Sequence, residues 1–89
     1  MATLFARHTV SDFAAFKKAY DEFDATRKAA GVTSDGVYQA DDNANDVTIY
    51  HEFATMDAAK KFAGSDDLKA AMQNAGVIGA PTIWFANRV

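Results

Sequence analysis

The 89-residue chain contains no cysteine. Disulfide scaffolds, thiolate metal sites and thiol nucleophiles are therefore excluded. It also lacks a basic block: 9 Lys and Arg stand against 12 Asp and Glu, for a net charge of −3. That argues against nucleic acid and against an anionic membrane surface, since both need clustered cations. No apolar run approaches the roughly 20 residues of a membrane-spanning helix. Met1–Val10 has no basic stretch leading into a long apolar one, so no signal peptide and a cytoplasmic location are expected. With two histidines and no cysteine, neither a metal nor another cofactor is expected. Proline occurs once, at Pro81, so little in the composition interrupts regular structure.

What is present is one domain's worth of alternating patterns. Thr3–Val10 reads as a strand with mixed faces, Leu4, Ala6, His8 and Val10 on one side and Phe5 and Arg7 on the other. Ser11 is placed to cap a helix, with Asp12 in its first turn. Phe13, Phe16, Tyr20 and Phe23 then recur at helical spacing as a core stripe, and Gly31 suits the left-handed position that ends the helix. Val32–Ala40 is a second strand, weakened by Gly36. Asp41–Asp46 is an acidic turn, and Val47–Phe53 is the returning strand of a hairpin. Thr55 caps a short helix to Ala63, Ser65 caps another over Asp66–Ala75, and Gly76 closes it. Pro81 limits where the last strand begins, and Thr82–Arg88 is expected to form it.

The order β-α-β-β-α-β is that of an α+β, ferredoxin-like domain: a four-stranded antiparallel sheet with its helices on one face. Right-handed crossovers put the first and third strands in the centre. Alternation then sends Phe5, Tyr50 and Trp84 to the face without helices. Three aromatics on an open sheet face make an apolar patch that needs a cover, and a second copy of the chain is expected to supply it.

Several stretches carry a family resemblance: Arg7–Lys18, Ala29–Val32, the hairpin from Asp41 to Phe53, and Ser65–Val77. Together they resemble the small proteins of the dimeric α+β-barrel superfamily, related to the antibiotic-biosynthesis monooxygenases. The resemblance spans nearly the whole chain. It implies a homodimer whose two sheets form a barrel, with a pocket on the sheet face away from the helices. The implied activity is that of a cofactor-independent monooxygenase or cyclase-like enzyme on a hydrophobic small molecule. The alternative is a non-catalytic binding or dimerisation module. No catalytic motif transfers residue by residue.

Candidate chemistry must then come from the residues themselves. Asp41, Asn43, Asn45 and Glu52 match calcium-loop spacing, but the sixth position is Asp46 where a loop needs Gly, and a strand follows. An acidic hairpin turn is the better reading. His51-Glu52 lacks the second histidine of a zinc helix, since position 55 is Thr55. On the open face, Phe5, Tyr50 and Trp84 can wall a ligand site. Arg7 can bind an oxyanion, Tyr50 and Glu52 are further catalytic candidates, and Arg7 can pair with Glu52 across the strands. A packed dimer interface explains the same residues equally well. His8 and His51 share the helix-covered face and can meet as an acid–base pair, although hydrogen-bonded core histidines are the simpler reading.

Overall fold

A computed structural model describes residues 1–89. Strand alternation and helical periodicity produce β1 (Ala2–Val10), α1 (Phe13–Glu22), α2 (Asp24–Ala29), β2 (Val32–Ala40), β3 (Asn43–Phe53), α3 (Met56–Ala63), α4 (Asp66–Asn74) and β4 (Val77–Asn87). The strands form one antiparallel sheet in the order β2-β3-β1-β4, so β1 and β3 are central as the crossover rule requires. Even positions of β1 and odd positions of β3 face the helices. Leu4, Ala6 and Val10 on β1 and Val47, Ile49 and Phe53 on β3 are all buried there, against Phe16, Ala59, Phe62 and Leu68 of the helices.

Caps set most boundaries. The Thr55 hydroxyl accepts from Ala58 N at 3.2 Å, and the Ser65 hydroxyl accepts from Leu68 N at 3.2 Å. Each satisfies a first-turn N–H that the helix itself leaves without a partner. At α1 the cap is Asp12, whose carboxylate accepts from Ala15 N, and not Ser11 as expected. Ser11 instead donates its backbone N–H to Gly76 O at 3.0 Å, tying the start of α1 to the end of α4. The first helix is also not continuous. It breaks at Phe23 (φ −86°, ψ 0°), which closes α1 and opens α2.

Two strands are longer than the sequence indicates. The hairpin turn shrinks to Asp41-Asp42, because Ala40 already pairs with Asn43. Asp46 therefore lies on β3, opposite Thr9, and not in the turn. β4 begins at Val77, four residues ahead of Pro81. Between the pairs Arg7–Thr82 and Thr9–Ile78 the ladder slips, and β4 bulges away from β1. Pro81 falls inside that bulge on an edge strand, where no ladder hydrogen bond is required of it.

A buried cavity and an open aromatic face

The open face carries a row across the sheet. Gly36, Tyr50, Phe5 and Trp84 stand at matching register on β2, β3, β1 and β4. Phe5 stacks on Trp84 with ring centroids 5.4 Å apart and planes 13° from parallel. The Tyr50 ring lies over Gly36, so that a Cβ at residue 36 would collide with Tyr50 Cε1. Tyr38 extends the patch, 6.3 Å from Tyr50. Thus Phe5, Tyr50 and Trp84 come together as alternation requires.

The polar candidates on this face separate. Arg7 does not pair with Glu52. The register places Arg7 opposite Thr48 and Glu52 opposite Thr3, four residues apart along β1. Arg7 makes a two-pronged contact with Asp46, Nε to Oδ1 at 3.0 Å and Nη2 to Oδ2 at 2.6 Å. That hydrogen-bonded charge raises the Arg7 pKa and lowers that of Asp46. Asp46 was hidden as a partner because the sequence places it in the turn. Glu52 faces Arg88 instead, at 3.8 Å. A shallow groove of about 350 Å³ runs there, lined by Thr3, Phe5, Tyr50, Glu52 and Arg88 among others.

The helix side holds a different kind of space. A partly open cavity of about 40 Å³ lies between the sheet and α1, α2 and α4. Phe16, Phe23, Ile49, Leu68 and Met72 provide apolar walls, and His8, Tyr20, Arg27 and His51 provide the polar groups. Four buried side-chain atoms in the protein have no hydrogen-bond partner: His8 Nδ1, His8 Nε2, Arg27 Nε and His51 Nδ1. All four belong to residues lining this one cavity. Leaving a buried donor or acceptor unpaired costs roughly 1–3 kcal/mol each.

The cavity's polar side is organised by Tyr20. Its hydroxyl lies 2.5 Å from Asp35 Oδ2 and 3.2 Å from His51 Nε2. Arg27 is 3% exposed, with its guanidinium carbon 3.7 Å from the Tyr20 ring centre. It donates through Nη1 to the Tyr20 carbonyl, and through Nη2 to Asp24 at 3.3 Å, with Asp35 at 3.4 Å. The register explains the assembly, because Asp35 on β2 stands directly opposite His51 on β3. Burial, with Arg27 adding repulsion, pushes the His51 pKa down to about 4. Burial and the Asp35 contact raise that of Tyr20. His8 is also lowered by burial. Both histidines are thus neutral at pH 7.

His8 and His51 do not form the pair that shared alternation allows. His51 stands opposite Leu4 and His8 opposite Val47. They are therefore about 13 Å apart along the strand at ~3.3 Å per residue, at two ends of one cavity. Tyr20, Arg27 and Asp35 escape a sequence reading. Tyr20 is hidden in the Phe13–Phe23 stripe, although it alone there carries a hydroxyl. Asp35 shares the alternation of Val37, opposite Ile49, which marks it as helix-facing once the register is known. No three His, Asp or Glu side chains gather as a metal-binding set, and no helix is long and apolar enough to cross a membrane.

Similar proteins share this architecture. No curated protein sequence matches the chain. A proposed antibiotic biosynthesis monooxygenase from Caulobacter crescentus is 26% identical, with a TM-score of 0.77 over 99% of this chain and 89% of that one. A second such protein, from Bordetella bronchiseptica, reaches a TM-score of 0.84 at 15% identity, over 99% and 96% of the two chains. SnoaB, a cofactor-independent oxygenase from Streptomyces nogalater, gives 0.75 at 15% identity, over 99% and 94%. At 15% identity the likeness is one of fold. The profile of the antibiotic biosynthesis monooxygenases matches residues 6–74, and the chain belongs to that family.

Proposed function

We propose that the protein is a cofactor-independent oxygenase or cyclase-like enzyme that takes a hydrophobic small molecule into the cavity between helices and sheet. The observation that carries this reading is the gathering of every unpaired buried side-chain atom around one apolar void. A mostly apolar pocket with a few convergent polar groups is what small-molecule sites look like. His51 Nδ1 is the base for an acidic hydroxyl or activated C–H. Arg27 Nε–H stabilises the anion that results, from a guanidinium whose side chain is almost fully buried. At about 40 Å³ the space holds about one water and falls short of the ~150 Å³ that admits benzene. Ligand binding therefore moves α4 outward from α1, with the flexible Met72 side chain yielding first.

The open face has a separate role in this proposal. A second copy covers Phe5, Tyr50 and Trp84, sheet against sheet, and makes the protein a homodimer. An open patch with Trp84 still 42% exposed is an interface in need of a partner. The groove along Thr3, Phe5, Tyr50, Glu52 and Arg88 favours a second reading, in which the ligand lies between two subunits and Glu52 and Arg88 act from its rim.

A titration with 1-naphthol, followed by methyl and indole NMR, separates these readings. Cavity binding shifts the Met72 and Leu68 methyl signals and leaves the Trp84 indole in place. Shifts at Trp84 and not at Met72 would move the site to the open face. Dioxygen uptake with polycyclic phenols that bind tests the oxygenase reading, and its absence across the panel, with no product formed from any phenol that binds, would leave a binding module. For the dimer, Trp84→Ala should convert a dimer to monomer in sedimentation; an unchanged sedimentation coefficient sinks the open-face interface.

A further inference from the structure

The hydrogen-bond chain leaving the cavity has a direction and an outlet. It starts at His51, 1% exposed, passes through Tyr20, and ends on Asp35, whose side chain is 32% exposed on the edge strand β2. We infer that Tyr20 and Asp35 form a proton relay connecting buried His51, on the cavity wall, to solvent, a role that rests on the cavity being the reaction site.

Proton counting sets the chain's polarity. The Tyr20 hydroxyl has one proton, and a carboxylate can only accept. The 2.5 Å contact therefore has Tyr20 donating to Asp35 Oδ2. Towards His51, 3.2 Å away, the Tyr20 oxygen must then accept, so His51 carries its proton on Nε2. His51 Nδ1 is left as a bare lone pair with no protein partner.

That lone pair can take a proton only if another leaves. The groups packed about His51 are Tyr20 and Arg27 from α1 and α2, Asp35 from β2, and the Phe62 edge from α3, with apolar residues of α4 beyond. An imidazolium there would be buried beside the Arg27 guanidinium, which is why burial and Arg27 hold its pKa near 4. The relay avoids that cation. As a ligand O–H breaks and His51 Nδ1–H forms, His51 Nε2–H passes to Tyr20 Oη, and the Tyr20 proton passes to Asp35 Oδ2. One negative charge has moved from Asp35 to the ligand, and His51 and Tyr20 end neutral. Asp35 then gives its proton to water. The same steps in reverse return a proton to the product. Arg27 stays charged throughout; it positions Tyr20 through the ring face and the backbone carbonyl.

Ring-¹⁵N NMR on the full, ligand-free chain tests this. His51 should appear as the Nε2–H tautomer, and its ring proton should exchange with water through the relay. Asp35→Asn keeps an oxygen for Tyr20 but removes the proton acceptor, and Tyr20→Phe removes the middle link. Each should slow that exchange at least about tenfold, and Asp35→Glu should restore it. A purely structural Asp35 gives the opposite sign, because a loosened cavity exchanges faster. The Nδ1–H tautomer, or unchanged or faster exchange in either variant that folds, overturns the relay. Exchange is read without ligand, so failure of 1-naphthol to shift Met72 counts against the cavity reading alone.

Discussion

Acidification should unfold this protein through His51 before its carboxylates contribute. An unfolded histidine titrates near pH 6.5, whereas His51 in the fold titrates near 4. Between those values the unfolded chain binds the proton and the folded one does not, so stability falls as pH drops. The folded pKa is depressed, so the full contribution of neutral His51 is present above pH 6.5 and is gone below pH 4. One proton gives a slope of at most about 1.4 kcal/mol per pH unit. Integrated over the window, this reaches about 3 kcal/mol, a large fraction of the 5–15 kcal/mol that typically holds a domain together. His8, also lowered by burial, adds in the same sense. The lowered pKa values of Asp24 and Asp46 act only further down, below the ordinary carboxylate range. Urea unfolding at half-unit steps from pH 7 to 4, on the wild type and on His51→Gln, isolates the effect. The variant should lose most of the slope between pH 6.5 and 4. Parallel curves for the two proteins would refute the claim that burial keeps His51 neutral.

Two further perturbations probe the two faces of the sheet. Gly36→Ala puts a methyl where the Tyr50 ring now lies, and should displace that ring and shift the Tyr50 and Tyr38 ring signals in NMR; unchanged signals would mean the ring does not cover residue 36. Phe62→Ala, at a residue 4% exposed and packed on His51, Phe53 and Phe23, should cost about 3–5 kcal/mol in urea. It should also raise the His51 pKa as water reaches the ring, which the histidine ¹⁵N titration reads directly.

The two sheet faces differ in how much of them local sequence specifies. Alternation alone puts Phe5, Tyr50 and Trp84 together, because a strand's period of two depends on no partner. Placing β1 beside β3 needs only the crossover rule. The Thr55 and Ser65 caps and the turn glycines Gly31 and Gly76 (φ +104° and +79°) are equally local. Which residue faces which across strands is another matter. Arg7 meets Asp46 and not Glu52 because the β1–β3 register is set by how the whole core packs. The bulge that admits Pro81 depends on the same packing.

The cavity lies wholly on the tertiary side of that division. Its polar edge comes from α1, α2, β2 and β3, and no short stretch contains more than part of it. Tyr20 and Arg27 are seven residues apart, across a helix break at Phe23 that the apolar stripe does not announce. Asp35 reaches His51 only through the β2–β3 register. The sequence by itself determined the element order, the two faces of the sheet and the aromatic patch, because these follow from backbone periodicity and local capping. Only the tertiary structure decided that His51 is neutral, that its Nδ1 is unpaired, and that Tyr20 and Asp35 connect it to solvent. Burial and the relative positions of distant side chains arise only when the helices pack against the sheet.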